Sequence, residues 1–342
     1  MNTSARPGGV AARIRHAAGT ALRRSPRPVR QALRRGSARV LSALDGTVPP
    51  VPGAKADWVS PAIPTPDGLS VADVESTFRT WSVNGEPVGH LDGYVADSSL
   101  RFLHTWGLVR EDTGRCLELG GNPYFTSYLL DEFTDLELTF ANYYGAAGET
   151  DETVSYLPPG ADERVEVTRH SHLFNVEEDR FPFEDDSFDV VLFCEMLEHM
   201  LMNPVATLRE IHRVLRPGGV LVLTTPNVAR LDNAISLVEG INMYDPYSGF
   251  GPYGRHNREY TRDELRRLLE FAGFEVERSF TADGHQSTAA ARRHYGAVMP
   301  LVAERMPDLG HYLFFRARAT GQPREGLPSF LFRSYPDGAI VD

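Results

Sequence analysis

The sequence predicts an α/β fold in which a mostly parallel sheet is covered by helices on both faces. From Arg115 onward, short apolar runs alternate with segments of helical periodicity, and strands that alternate with helices usually pair in parallel. Several of the runs are apolar throughout, as in DVVLF at 189–193, which is typical of strands buried on both faces. These observations together favour a layered α/β domain over a bundle or a sandwich.

The predicted elements follow one another in regular order. Residues 70–81, with Ser70 as N-cap, and residues 92–109 are expected to form helices that precede the sheet. Further helices are expected at 204–215, before Pro217-Gly218-Gly219, and at 261–272, where Thr261 begins a capping box. Strands are expected at 115–119, 136–141, 172–175, 189–193, 220–224, 275–280 and 311–317. For residues 145–167 we expect only an irregular or partly extended connection, because Pro158-Pro159-Gly160 interrupts the segment.

Charge is unevenly distributed along the chain. The 342 residues are 42% hydrophobic with a formal net charge of −11, which suits a globular protein and excludes a wholly disordered chain. Residues 1–45 carry ten arginines and one acid, Asp45, so the remainder is strongly acidic. An acidic body argues against duplex nucleic acid as a partner, since such domains carry positive charge on the folded surface. The basic arm is either a solvated tail or a segment that contacts anionic lipid.

The sequence also predicts a domain organisation and a compartment. No apolar run approaches the roughly 20 residues that span a bilayer. Cys116 and Cys194 lie in apolar runs, which predicts free thiols and a reducing, cytoplasmic location, with peripheral membrane contact through the arm as an option. We expect an arm at 1–45, a Pro/Gly-rich linker and short helix at 46–90, the α/β domain at 91–320 and a C-terminal extension at 321–342.

The first strand ends in a turn that suits a ligand. Residues 117–124 read LELGGNPY, and glycines after a strand let the backbone approach a ligand while the next helix offers free N–H groups. Downstream, the chain reads FNVEEDRFPFEDDSFDVVLFCEMLEHM and LREIHRVLRPGGVLVLTTPN. With the first turn, these motifs resemble the class I S-adenosylmethionine-dependent methyltransferases of the small-substrate branch, over about residues 96–320.

This resemblance implies a Rossmann-like methyltransferase fold with a seven-stranded sheet and S-adenosylmethionine as the cofactor. Asn142 and Asn175 stand where the family usually has carboxylates, and an amide binds a hydroxyl without charge assistance. The cofactor-binding residues that the resemblance implies are Glu118, Gly120, Gly121, Asn122, Asn142, Asn175, Val176, Cys194 and Glu195.

A second set of residues suggests a metal. Glu195, Glu198 and His199 have the spacing of one helical face, and His256 follows in GPYGRHNREYT. Carboxylates and imidazoles of this kind can hold a divalent cation that acidifies a bound hydroxyl. Oxygen ligands favour Mg²⁺ or Mn²⁺, whereas histidines also suit Zn²⁺ or Fe²⁺. Alternatively, Glu195 and His199 only contact the cofactor or cap the helix.

The E-x-x-E-H element with a later histidine resembles two groups of metal-dependent O-methyltransferases. One acts on the 3′ ribose of small RNAs and the other on catechol-type rings in ubiquinone synthesis. We therefore expect O-methylation of a hydroxylated small molecule or glycan, with Glu198, His199 and His256 as catalytic residues. The alternatives are RNA-end ribose methylation and a catalytically inactive cofactor-binding scaffold.

The segment 240–260 is rich in tyrosine, glycine and asparagine. A long segment without clear periodicity is more often functional than idle, and aromatic faces with polar tips suit a sugar or an aromatic ring. The residues expected to line an acceptor pocket are Tyr244, Asp245, Tyr247, Tyr253 and Arg255. The alternative is that the tyrosines fill gaps over the sheet.

Overall fold

The computed structural model describes residues 61–88, 92–284, 292–336 and 338–342. The Arg-rich arm and most of the Pro/Gly-rich segment therefore lie outside the described residues, and the predictions made for them are not addressed by the structure. Among the described residues, no helix combines the length and the apolar character that crossing a membrane requires.

Helices and strands alternate along most of the described chain. The α-helices are α1 (Val71–Arg79), α2 (Asp92–Val109), α3 (Phe125–Phe133), α4 (Pro204–Val214), α5 (Leu231–Glu239), α6 (Arg262–Phe271) and α7 (Tyr295–Val302). The strands are β1 (Ser82–Val83), β2 (Glu86–Pro87), β3 (Thr113–Leu119), β4 (Asp135–Asn142), β5 (Gly148–Tyr156), β6 (Val165–Leu173), β7 (Phe188–Cys194), β8 (Leu215–Pro226), β9 (Phe274–Ala282), β10 (Tyr312–Ala319), β11 (Leu327–Pro328) and β12 (Ile340–Val341). Short 3₁₀ turns cover Leu197–His199 and Ala303–Asp308.

One ten-stranded sheet organises the described residues, in the order β2-β1-β5-β6-β4-β3-β7-β8-β10-β9. The run from β6 to β8 is parallel, and β10 lies antiparallel between β8 and β9. These strands form the predicted seven-stranded sheet, whereas β5, β1 and β2 extend it with antiparallel pairing. The expected sheet therefore makes up seven strands of a larger mixed sheet, which is extended beyond β6.

The connection between β4 and β6, predicted to be irregular or partly extended, contains a full strand, so the extended alternative is present and the irregular one was wrong. β5 pairs antiparallel with β6 from Gly148↔Leu173 to Tyr156↔Val165. β6 begins at Val165 instead of near His172, and Pro158-Pro159-Gly160 lies in the loop that joins the two strands. The first half of β5 is polar and mostly exposed, which leaves little apolar signal for a strand.

Helix ends follow the sequence closely. Ser70 caps α1 and Thr261 caps α6, each in a reciprocal capping box with the acidic residue three positions on. α2 has the predicted bounds. Since these caps satisfy the first N–H groups of each helix, the polar residues at the boundaries explain where the helices begin.

The segments on either side of the predicted α/β domain pack into the same structure. Phe78 of α1 lies 4.6 Å from Phe125 between ring centroids, and Trp81 stacks on Tyr156 at 4.7 Å. At the other end, Leu327, Phe330 and Ile340 pack against the core on the opposite face of the sheet. Described residues on either side of positions 90–91 and 320–321 therefore contact the same sheet.

Candidate active site at the carboxyl ends of the parallel strands

The residues predicted to bind the cofactor meet at one edge of the sheet. Glu118 lies near the end of β3, Asn142 ends β4, and Cys194 ends β7. Asn175 follows β6 and Glu195 follows β7. Because β3, β4, β6 and β7 run parallel, their carboxyl ends lie side by side, which is where open α/β sheets bind ligands.

The turn after β3 requires glycine. Gly120 has φ of +71°, and a Cβ there would lie 2.7 Å from Met196 Sδ. Its N–H donates to the Ala141 carbonyl at 2.7 Å, which ties the turn to the end of β4. A side chain at Gly121 would lie 3.4 Å from the rings of Phe140 and Tyr124. The backbone of this turn is thus held between the segments that follow β4 and β7.

Two buried charged side chains flank the turn. Glu118 is 6% exposed, accepts from the Ser127 hydroxyl at 2.6 Å, and has a pKa that burial raises to about 7. Arg101 of α2 is 3% exposed and donates to the Tyr94 hydroxyl at 2.7 Å. Its Nε lies 3.8 Å from Glu195 Oε2 and makes no hydrogen bond. A buried guanidinium with a free N–H can receive an anionic ligand group.

Asn142 is committed to the protein itself. Its Nδ2 donates to the Tyr124 hydroxyl at 3.0 Å and to Ser171 Oγ at 3.1 Å, and its Oδ1 accepts from the Asn122 N–H at 3.2 Å. The carboxylate at this end of the edge is Glu152 of β5, which accepts from Asn122 Nδ2 at 3.0 Å and from the Tyr124 hydroxyl at 2.6 Å. Asn142 therefore orders the turn, and Glu152 supplies the negative charge that β4 lacks.

Asn175 and Val176 hold the loop after β6. Asn175 Oδ1 accepts from the Glu177 N–H at 3.0 Å, and its Nδ2 donates to the Tyr253 hydroxyl at 3.1 Å. The Val176 carbonyl accepts from Thr207 Oγ1 at 2.8 Å. The loop is thereby joined to α4 and to the tyrosine-rich segment.

The segment after β7 departs from the helical arrangement predicted for it. Glu195 adopts φ of +53°, and only Leu197–His199 form a 3₁₀ turn. A left-handed residue is not part of a right-handed helix, so Glu195 does not share a helical face with Glu198 and His199, and the predicted helical face was wrong. Glu195 Oε1 accepts from the Thr224 hydroxyl at 2.8 Å, and burial raises the pKa of the adjacent Cys194 thiol to about 12. Cys116 and Cys194 are both free, as expected.

Glu198, His199 and His256 form a compact group, called the buried triad below after its buried carboxylate; both imidazole side chains are partly exposed. Their ligand atoms all lie within 4.8 Å of one another. Glu198 is fully buried; its Oε2 accepts from Thr225 Oγ1 at 2.8 Å, and its Oε1 has no hydrogen-bond partner. Oε1 lies 3.9 Å from His199 Nε2. Burial, followed by the nearby Glu195 carboxylate, raises the pKa of Glu198 to about 8.

Hydrogen bonds fix both imidazoles of the buried triad. His199 Nδ1 lies 3.0 Å from the Arg255 carbonyl, and His256 Nδ1 lies 3.1 Å from Glu259 Oε1. A carbonyl only accepts, so His199 donates through Nδ1; donation to the Glu259 carboxylate assigns the same tautomer to neutral His256. Each ring then keeps a lone pair on Nε2, as metal-binding histidines do.

A cavity of about 300 Å³ adjoins His256. Its lining residues are Pro226, Arg230, Asp232, Asp245, His256, Glu259, His311 and Tyr312. Of the predicted acceptor residues, only Asp245 lies in this wall. Tyr244 and Tyr247 are 77% and 93% exposed, and the Arg255 guanidinium lies 4.8 Å from the Tyr247 ring centroid. Tyr253 is held by Asn175 instead.

Comparison with known families identifies the family to which the chain belongs. Residues 89–279, more than half of the chain, match the family described as a methyltransferase domain. The chain belongs to this methyltransferase family. It is a class I S-adenosylmethionine-dependent methyltransferase, and the edge that carries Glu118, Gly120 and Glu195 is its candidate cofactor site.

Curated relatives of this methyltransferase match only part of it. A probable S-adenosylmethionine-dependent methyltransferase of Mycolicibacterium smegmatis is 34% identical over 143 residues, 42% of this chain and 48% of the relative. A ubiquinone biosynthesis O-methyltransferase of Ruegeria pomeroyi is 36% identical over 92 residues, 26% of this chain and 35% of the relative. The matches thus span about half the length of these relatives or less.

Among solved structures, an S-adenosylmethionine-dependent methyltransferase from Mesorhizobium loti is 16% identical with a TM-score of 0.38. It covers 63% of this chain and 95% of that one. The assignment of this methyltransferase rests on the family match and on the strand order.

The sequence analysis missed Arg101 and Glu152. Arg101 is the single arginine or lysine in the largely apolar stretch LRFLHTW of α2, which is a usable signal for a buried functional charge. Glu152 lies in a segment whose strand was not recognised, and its contacts join residues 30 positions apart. Glu195, expected among the metal ligands, is engaged by Thr224 and Arg101 and lies outside the buried triad as defined by its ligand atoms.

Proposed function

We propose that this methyltransferase methylates a hydroxyl group of a small hydroxylated molecule or glycan, and that a divalent cation on the buried triad prepares that hydroxyl. One observation carries the proposal. Glu198 is fully buried with an unpartnered Oε1, and that oxygen shares a 4.8 Å group with one ring nitrogen from each of His199 and His256.

The buried triad fits a cation by the chemistry of its donors. A buried carboxylate oxygen without a partner is costly unless it is paired or bound to a metal. Both imidazoles donate through Nδ1, so Nε2 is the nitrogen that remains for a ligand bond. Two histidines and one carboxylate leave coordination positions open for further oxygen ligands. A cation bound here would lower the pKa of a coordinated hydroxyl.

The methionine end of the cofactor site fits its ligand too. S-adenosylmethionine supplies an electrophilic methyl group when bound. Gly120 gives the backbone close access, and Arg101 offers an unbonded Nε–H beside Glu195 for the carboxylate of the methionine part. At the other end, Asn142 is engaged within the protein, and we assign the ribose hydroxyls to Glu152, a carboxylate that already accepts hydrogen bonds from Asn122 and Tyr124. These residues bind and orient the donor, and the chemistry of transfer is then mainly alignment.

The cavity beside His256 suits a polar acceptor. Three carboxylates in its wall, those of Asp232, Asp245 and Glu259, accept hydrogen bonds as hydroxyl-bearing ligands require. The volume of about 300 Å³ is at the small end of ligand pockets, which favours one ring over a polymer segment. Glu259 is engaged by His256 and Arg230, which lower its pKa, so we assign the proton that the hydroxyl loses to Asp245 in the same wall.

O-methylation is supported further by the names of relatives. The matched proteins include ubiquinone biosynthesis O-methyltransferases of Ruegeria pomeroyi and Rattus norvegicus. A catechol, a sugar and the terminal ribose of an RNA all present adjacent hydroxyls to a cation, and the acidic character of the chain disfavours the RNA. Peripheral membrane contact through the Arg-rich arm remains a proposal of its own.

Methyl transfer from labelled S-adenosylmethionine to a panel of sugars, catechols and RNA ends tests the proposed function. The full chain is assayed after chelation and after return of Mg²⁺, Mn²⁺ or Zn²⁺. We expect transfer to a hydroxyl of a sugar or catechol, lost on chelation and restored by a cation. Full activity in excess EDTA would refute the metal, and transfer only to nitrogen or to RNA would refute the acceptor class.

A further inference from the structure

We propose that β5 and β6 carry a second divalent-cation site, distinct from the buried triad, in which Glu149, His170 and His172 bind Zn²⁺. The three residues are called the strand site below. They share no residue with the buried triad, and the role proposed for them does not depend on the proposed function.

Strand register brings the residues together. Antiparallel pairing places Glu149 opposite His172 and Asp151 opposite His170. Directly opposed residues project from the same face of a sheet, and residues two apart on one strand share that face. Two imidazoles and two carboxylates therefore form a square on one face of the β5–β6 pair.

The distances suit a small tetrahedral ion. Glu149 Oε1 lies 3.5 Å from His172 Nδ1, and Glu149 Oε2 lies 3.9 Å from His170 Nε2. The ligand atoms of the three residues all lie within 4.8 Å of one another. Bonds of about 2.1 Å to tetrahedral Zn²⁺ separate neighbouring ligand atoms by about 3.4 Å. Small side-chain adjustments therefore suffice to close the site.

Neighbouring groups orient the two imidazoles. His170 Nδ1 lies 2.8 Å from Asp151 Oδ1, so the carboxylate accepts a hydrogen bond and leaves Nε2 directed to Glu149. This arrangement of carboxylate, histidine and ion is the usual outer support of a zinc ligand. His172 packs edge-on against Phe183, with ring centroids 5.0 Å apart and planes at 88°. Both rings are thus held before an ion arrives.

Charge and access also favour a cation. Side chains of Glu149 and Asp151 are 62% and 68% exposed, so an ion can reach them from solvent. With neutral imidazoles the square carries two negative charges, which a dication balances. Exposed histidine–carboxylate pairs contribute little stability by themselves. Two nitrogen ligands and one carboxylate suit Zn²⁺, whereas Mg²⁺ and Ca²⁺ prefer oxygen alone.

The strand site would brace β5, the first of the three strands that extend the predicted seven-stranded sheet. β5 carries Glu152, which holds Asn122 and Tyr124 of the turn after β3. Glu149 and His172 also line a cavity of about 620 Å³, so a fourth position on the ion opens to solvent space. The site therefore has the open geometry of an ion that exchanges with its surroundings.

Zn²⁺ titration of the full chain, in competition with a chromophoric chelator, tests the strand site. A His256→Gln background silences the buried triad, and retention of S-adenosylhomocysteine binding confirms that each variant is folded. We expect one Zn²⁺ per chain in this background, with a Kd at or below about 10 μM. His170→Gln and His172→Gln should each weaken binding by about 100-fold, and Asp151→Asn by about tenfold.

His294→Gln provides the matched control, since His294 pairs with Glu239 outside both groups. It should leave the affinity unchanged. The proposal is overturned if the His256→Gln protein binds no Zn²⁺ in this range, or if it binds Zn²⁺ equally well with and without His170 and His172. Loss of the proposed function would instead appear as cation-independent turnover, so the two results are separable.

Discussion

The buried triad and the strand site use the same residue types in opposite surroundings. In the buried triad, Glu198 is fully buried with one unpartnered oxygen. In the strand site, the Glu149 side chain is 62% exposed, and water can solvate its charge. A buried charge costs several kcal/mol unless it is paired, whereas an exposed one costs little. We therefore expect the buried carboxylate of Glu198 to depend on a bound ion more strongly than the exposed carboxylate of Glu149.

Substitution within the buried triad should have the largest effect. Glu198→Gln and His256→Gln remove a ligand without changing side-chain size greatly, so we expect methyl transfer to fall by about 100-fold or more. Binding of S-adenosylhomocysteine, measured by calorimetry, should stay within about threefold because neither side chain is assigned to the cofactor. Glu270→Gln, an exposed carboxylate of α6 that pairs with Arg266, is the matched control. Variants that keep more than a tenth of wild-type turnover would contradict the assignment.

Substitution of Arg101 tests whether its buried positive charge binds the methionine end of the cofactor. Arg101→Met keeps the length of the side chain and removes the cation, and loss of a charge-assisted hydrogen bond costs about 1.5–3 kcal/mol. Cofactor affinity should therefore weaken by about 10- to 150-fold in calorimetry. The exposed pair of Arg110 with Glu111 supplies the control, Arg110→Met, which should bind normally. Normal affinity in Arg101→Met would remove this residue from the site.

Glu118 shows the cost of burying a carboxylate whose desolvation outweighs its attraction to the Arg169 cation. Burial raises its pKa from 4.5 to about 7, so the folded protein retains a proton that the unfolded chain releases between these values. Stability is then lost as pH rises from about 5 to 7, by about 3 kcal/mol at most. Glu118→Gln should remove this loss, so its unfolding temperature relative to the wild type should rise with pH. A constant difference between pH 5 and pH 8, measured without cofactor, would contradict the account; the exposed Glu166→Gln is the control.

The smallest effect on methyl transfer is expected from a change outside the buried triad and the cofactor site. Deletion of residues 1–45 should leave turnover on a soluble acceptor within about twofold, because every residue assigned to the site lies beyond Arg101 or at it. Initial rates of the truncated and full chains measure this directly. A collapse in turnover would place the arm in the site.

The sequence predicted the seven-stranded sheet most directly from the apolar runs of its central strands. β7 and β8 are buried along most of their length, and helix caps such as Ser70 are local signals. β5 was not predicted, since its polar first half becomes a strand only through pairing with β6. A strand that forms through tertiary pairing of this kind has no alternating apolar pattern in its own sequence from which it could be predicted.

The candidate site was predicted unevenly for a similar reason. The E-x-x-E-H element and His256 identified three residues that the fold brings together, although they lie up to 58 positions apart. The helical spacing assumed for Glu195 was wrong because that residue is left-handed. Arg101 and Glu152 act through contacts between distant segments, which no local pattern encodes. Tyr244 and Tyr247 were predicted from the aromatic composition of their segment, but they are exposed and do not line the cavity.

Anomalous diffraction from crystals grown with Mn²⁺ and S-adenosylhomocysteine tests the central claim most directly. We predict a manganese peak within about 2.3 Å of Glu198 Oε1 and of one nitrogen from each of His199 and His256. A crystal with S-adenosylhomocysteine bound at the β3 turn and no peak among those three atoms, at saturating Mn²⁺, would contradict the claim.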